Sequence, residues 1–418
     1  IFILCFGAQL KNTAIKALAI FPFSLFMFFV SFITSDKIDQ GLLIKQEWIP
    51  TLGISLDFNL DGLSLLFALL ITGIGTFIFL YASSYLKGHE HINRFFAYLT
   101  MFMGSMLGLV LSDNLLTLFI FWELTSITSF FLIGFDNNNE DARKSALLAL
   151  GITGLGGFFL LGGIIGLGVI TDTYSISELI AQKDFIQTNQ LYPFIVILIL
   201  IGAFTKPAQF PFHFWLPGAM KAPTPVSAYL HSATMVKAGI YLIARMNPTL
   251  GGTDIWNITL TVVGGITMLY AAFQSVFKTD LKGILAYSTI ASLGIMVFLL
   301  GLNNEYSIQA VATFIVVHAL YKAALFMTTG AIDHSLHSRD ITKLYGLQKM
   351  LPFVGIAGFL AALSNAGIPL TFGFIGKDLI YESTLQSYGK YAILLTGIAV
   401  ITNILLMYSG FLAGIKPF

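Results

Sequence analysis

Long apolar runs separated by short polar turns account for most of the chain. They fall at about 1–10, 13–34, 62–86, 95–112, 114–135, 145–170, 192–216, 226–246, 256–277, 281–302, 306–330, 351–386 and 390–413. Most are near twenty residues or longer, the length of helix that crosses a hydrocarbon core of ~30 Å at ~1.5 Å per residue. They do not alternate with period two, which excludes an outer-membrane β-barrel. The pattern predicts an all-α, polytopic transmembrane helical bundle of about thirteen spans, the first of them short. Runs 95–112 and 114–135 abut at Asp113 and predict a tight hairpin. Two runs carry breaks. In the seventh, Pro207, Pro211 and Pro217 surround His213; in the twelfth, Gly367-Ile368-Pro369 is followed by Gly373 and Gly376. Proline and glycine interrupt a helix, and non-helical backbone at membrane depth persists only where it is buried in protein or lines water.

The broken runs lie five spans apart, so they run in opposite directions. Paired interrupted helices point to a transport site at the midplane of an inverted repeat. The expected organisation is therefore residues 1–92 as spans 1–3, 93–248 as a first five-helix repeat and 249–418 as a second, inverted one.

Composition agrees with a membrane chain: 56% of residues are hydrophobic and only 10% charged. Soluble domains carry roughly 25% charged residues. A net charge of +1 implies no nucleic-acid surface. The single Cys5 excludes an intrachain disulfide and a thiolate cluster. No cofactor is expected, and no metal ligand set is assigned. The chain begins at Ile1 inside an apolar run and stops at Phe418 after a span, which reads as part of something longer.

Lys and Arg set orientation. The turns after spans 1, 3, 5, 7, 9 and 11 hold Lys11, Lys16, Lys87, Arg94, Arg143, Lys144, Lys221, Lys278, Lys282, Arg339, Lys343 and Lys349. The opposite turns hold Lys37, Lys45, Lys183 and Lys390, with Arg245 at a span end. The first set is expected to be cytoplasmic, with the N-terminus outward, in a bacterial inner membrane.

The candidate chemistry lies in the charges left within the spans. A charge at bilayer depth costs at least ~2.5–3.5 kcal/mol on insertion scales and marks function by default. Glu123 sits near the middle of Leu115–Gly134, where its short side chain cannot reach the interface. Lys206 precedes the first break and Lys377 follows Gly373 and Gly376 of the second, so water and freed backbone can solvate each ammonium. His318 and Lys322 are one turn apart and share a helix face. Lys237 is a candidate on the eighth run. His231, six residues earlier, is either a relay or a hydrogen-bonded structural group near Ser227 and Ser232. His213 is read as structural, satisfying backbone freed by the prolines. Burial drives Lys and Glu toward their neutral forms and pairing drives them back, so such pairs can switch a proton. No phosphate-binding, zinc-protease or serine-hydrolase motif is present. The glycines of GITGLGGFFLLGGIIGLG, 151–168, are read as helix-packing residues.

The segments FWELTSITSFFLIGF, TKPAQFPFHFWLPGAMKAPTPVSAYLHSATMVKAGIYL, LKGILAYSTIASLG, HALYKAALF and GIPLTFGFIGKD resemble the antiporter-type membrane subunits. That family includes the large A subunit of Mrp-type multisubunit Na⁺/H⁺ antiporters and the proton-pumping subunits of respiratory complex I. The resemblance covers at least Asp61 to Ile380. It implies two inverted five-helix repeats with broken helices seven and twelve. It implies that Glu123 and Lys206 form a pair, that Lys237 and His231 are the helix-eight polar positions, that His318 and Lys322 are the helix-eleven pair, and that Lys377 opens to one side. Three features favour the A subunit: no acid around Gly156–Gly157, the segment IDHSLHSRDITKLYGL, and Lys237 itself. GFIGKD departs from the GFISKE of many A subunits. The implied activity is proton transfer along the Glu/Lys/His chain in exchange for Na⁺, within a complex of other membrane proteins and with no enzyme role of its own. The alternative is a distal pump module of complex I or of a membrane-bound hydrogenase.

Overall fold

The computed structural model describes residues 18–35, 41–387 and 389–418, without the side chain of Leu52. The predicted span 1–10, and the start of the second, lie outside the described residues. The helices are α1 Ile20–Val30, α2 Gly62–Tyr85, α3 Ile92–Leu111, α4 Leu115–Ile133, α5 Glu140–Thr171, α6 Ile176–Ala181, α7 Lys183–Thr188 and α8 Tyr192–Thr205. They continue with α9 Thr224–Ser232, α10 Ala238–Leu250, α11 Asp254–Val276, α12 Leu281–Leu302, α13 Glu305–Leu336, α14 Pro352–Ala366, α15 Phe372–Leu385 and α16 Ala392–Gly414. The chain is an all-α polytopic membrane bundle: eight helices among the described residues are long and apolar enough to cross a bilayer, and α1, α8 and α14 are shorter apolar helices.

Capping residues decide where the long helices begin. Asp61 caps α2, Asn114 α4, Asn139 α5, Thr253 α11, Asp280 α12 and Asn304 α13, each accepting from a backbone N–H of the first turn. This carries α5 back to Glu140, beyond the apolar run at 145. Before α2 the chain folds into nested antiparallel pairs, β1 Leu42–Ile44 with β4 Phe58–Leu60 and β2 Glu47–Ile49 with β3 Ile54–Ser55. Their periodicity is too short to read from sequence.

Both expected breaks exist. After α8 the chain passes Ala208 at φ +51° and a cis Phe210–Pro211 bond before helical turns resume at Phe212. After α14, Gly367 and Leu370 both take positive φ before α15 begins. A third break was not legible. The run 226–246 is cut between α9 and α10, where Thr234 departs from helical geometry and Met235–Lys237 form a 3₁₀ turn.

Packing divides the chain into two compact units. One holds residues 1–206 and 233–251, the other 207–232 and 252–418. In the first, α3 packs on α4, α4 on α5, and α5 on α8. In the second, α12 is almost wholly enclosed, with α11, α13 and α16 against it. α11 and α12 approach backbone to backbone, because Gly264, Gly294 and Gly301 leave no side chain between them.

Candidate functional site

In the first unit the pair of interest is built from α4, α5 and α8. Lys206 follows the last residue of α8 and is fully buried. Its ammonium donates to the Trp122 carbonyl at 2.6 Å and to Thr125 Oγ1, and sits 4.3 Å from the Trp122 ring centroid. The Thr125 hydroxyl in turn donates to Trp122 O at 2.7 Å. The lysine therefore docks on the turn of α4 that carries Glu123. That carboxylate is half-buried, and its Oε1 is buried with no hydrogen-bond partner among the described residues. The structure thus places Lys206 on the turn that bears Glu123, with the ammonium held by α4's carbonyl and hydroxyl and in no direct ion pair with that carboxylate.

Gly156 and Gly157 on α5 make this arrangement possible. A Cβ at Gly156 would collide with the Thr205 side chain, one residue before Lys206. A Cβ at Gly157 would collide with Glu123 Oε1 and come within 2.9 Å of its Cδ. Lys237, also fully buried, lies in the 3₁₀ turn at the third break, its N–H bonded to Thr234 O at 2.8 Å.

In the second unit Lys322 on α13 is fully buried and donates to Ser288 Oγ on α12 and, at 3.5 Å, to Leu285 O. Ser288 Oγ donates to the same carbonyl at 3.1 Å. This is the seat of Lys206 again: one helix carbonyl and the hydroxyl three residues on. His318 is buried one turn before Lys322, its ring 5.5 Å from that of Tyr321 and 6.2 Å from that of Phe314. Lys377 on α15 donates to Ala366 O at 2.8 Å, across the second break. It borders a cavity of about 200 Å³ also lined by Asp378, Tyr381 and Asn403. His231 is fully buried between the rings of Trp215 and Phe326, with neither ring nitrogen hydrogen-bonded to a described residue. Of the two readings left open for it, hydrogen bonding to the nearby serines is not made among the described residues; Ser232 donates to Ala228 O. His213 stacks on Phe210 at 5.7 Å and meets Tyr270 edge-on at 4.8 Å.

Three features escaped the sequence. Thr125 and Ser288 look like ordinary helix hydroxyls, which normally bond back to their own helix. Lys282, assigned above to a loop, is buried in α12's first turn and donates to Ala222 O at 2.8 Å. Removing it from the turn cations leaves their asymmetry in place.

Lysines buried at helix breaks and seated on neighbouring helices define a membrane bundle that keeps charge in its protein interior. The model of the family described as NADH:quinone oxidoreductase/Mrp antiporter, TM, matches residues 112–402, and the chain belongs to that family. Residues 48–96 match the model described as NADH-ubiquinone oxidoreductase (complex I), chain 5 N-terminus. The A subunit of the Na⁺/H⁺ antiporter of Alkalihalophilus pseudofirmus is 45% identical over 383 residues, covering 88% of this chain and 48% of that protein. The A/B subunit of a probable K⁺/H⁺ antiporter of Rhizobium meliloti is 46% identical over 344 residues, covering 82% of this chain and 34% of that one. The chain thus spans about half or less of the curated relatives it matches. A chain of the Mrp complex from Dietzia sp. DQ12-45-1b superposes with a TM-score of 0.90 at 35% identity, over 98% of this chain and 46% of that chain. A chain of an archaeal membrane-bound sulfane sulfur reductase, at 20% identity and TM-score 0.85, shares the fold.

Proposed function

We propose that this chain is the proton-translocating part of the A subunit of a multisubunit Na⁺/H⁺ antiporter, moving H⁺ inward in exchange for Na⁺. It is part of a transporter, not an enzyme. It works with other subunits in a bacterial inner membrane, N-terminus outward, as two inverted repeats at 93–248 and 249–418. The observation that carries the reading is Lys206, fully buried yet seated on the helix turn that bears Glu123. Each repeat supplies a relay: Glu123, Lys206 and Lys237, with His231, in the first; His318, Lys322 and Lys377 in the second. Glu123 holds Lys206 protonated in one state and lets it discharge in another.

The test uses everted vesicles carrying the complete complex. ΔpH-driven Na⁺ exchange should proceed with no electron donor, and Lys206→Ala or Glu123→Ala should abolish it with assembly intact. A requirement for an electron donor, or normal exchange in either variant, overturns the proposal. The Rhizobium relative supports a second reading in which K⁺ is the cation; exchange driven by K⁺ and not Na⁺ would select it.

A further inference from the structure

Glu123 has to project from α4 toward α5 while Lys206 reaches α4 from the end of α8. Both approaches meet consecutive glycines. At Gly156 the neighbour is Thr205, a β-branched residue on helical backbone that cannot swing aside. At Gly157 the nearest atoms all belong to the Glu123 carboxyl group: Oε1, then Cδ at 2.9 Å and Oε2 at 3.6 Å. Gly156 is further tied to α8 through Gly202, whose own Cβ would lie 2.8 Å from Gly156 O. The two glycines therefore meet different demands. Gly156 allows α5 and α8 to close, whereas the atoms nearest the space at Gly157 are those of a carboxylate. A glycine costs roughly 1 kcal/mol relative to alanine in a helix interior. Elsewhere on α5, Gly151 and Gly154 face open space and seat no group.

We propose that Gly157 is a positioning residue for proton transfer: its missing side chain is the seat of the Glu123 carboxylate and fixes the separation of that carboxylate from Lys206. This deepens the proposed function and rests on Glu123 being a translocation residue. Because the Glu123 carboxyl is the far end of a flexible side chain, it can yield to an added methyl while the helices stay in place. The Gly157→Ala protein should therefore fold and assemble but transfer protons badly. Misplacing a reacting group by about 1 Å can cost on the order of 100-fold.

The experiment measures exchange in everted vesicles, with complex assembly followed on native gels. Gly157→Ala should lower exchange about tenfold or more, and Gly154→Ala should leave it unchanged. Glu123→Asp withdraws the carboxylate by one methylene, which clears the added Cβ. The double variant Gly157→Ala/Glu123→Asp should then exchange faster than either single variant, a recovery that a purely structural glycine would not show. Normal exchange in Gly157→Ala overturns the proposal, as does a double variant no better than the worse single. If Gly157→Ala does not assemble, the double variant decides: assembly and exchange regained together support the seat, and continued loss refutes it. Failure of the underlying reading is separately visible, as exchange surviving Glu123→Ala.

Discussion

At Lys206 and at Lys322 an ammonium rests on a carbonyl and on the hydroxyl three residues further along one neighbouring helix. Thr125 and Ser288 each also donate to that carbonyl, so each links the lysine to the helix through an O–H that can accept a proton and pass one. Leaving a buried donor short of an acceptor costs about 1–3 kcal/mol. On the function proposed above, Thr125→Val and Ser288→Ala should each slow cation/proton exchange by about tenfold or more, while Thr125→Ser and Ser288→Thr keep most of it. Vesicle exchange rates check this; a valine variant running at the wild-type rate would show that the hydroxyl takes no part. The ionisable members of these seats were legible, because a charge in an apolar run stands out. Their acceptors were not, because which turn of a neighbouring helix faces an ammonium depends on helix rotation, to which local sequence is silent.

Among the elements, breaks at proline and glycine could be read directly, since Pro207, Pro211 and Gly367 each deny the backbone a regular helix. The break before Lys237 could not: His231–Lys237 contains neither residue type. Close helix approach gives the next prediction. At Gly294 an added side chain would place Cβ 2.7 Å from the backbone nitrogen of Met268, which cannot move without α11. Overpacking of this kind typically costs about 1–3 kcal/mol or more. Gly294→Val should thus lose much of its monodisperse protein in detergent size-exclusion runs. Gly265→Ala, whose Cβ would sit at an ordinary 3.7 Å from Phe298, should elute like the parent.

On the scale of the whole molecule, one ion pair closes the first unit. Arg245 on α10 grips the carboxylate of Asp61 with both terminal nitrogens, one at 2.9 Å, and its Nε donates to Tyr241, which bonds Val110 O on α3. Burial works against the Asp61 carboxylate, but the Arg245 bond and charge outweigh it and hold its pKa down at about 2. A lowered acid stabilises the fold above its unfolded value near 4, and that contribution disappears as pH falls from about 4 to about 2. Its size is on the order of 2 kcal/mol. Asp61→Asn should melt earlier than wild type at pH 7, with the gap closing between about pH 4 and 2. A gap unchanged across that range would refute the pairing as its source.

The sequence by itself determined that the chain is a helical membrane bundle, where its proline and glycine breaks fall, and which charges stand within its apolar runs. These follow from the transfer of side chains between water and hydrocarbon, a property that adds along the chain one residue at a time. Only the tertiary structure decided that Lys206 docks on α4, that Ser288 receives Lys322, that Lys282 is buried, and that Gly157 makes room for Glu123. Each of these depends on which faces of different helices meet. Contact at that level is set by close packing among residues far apart in the chain, which no local pattern encodes.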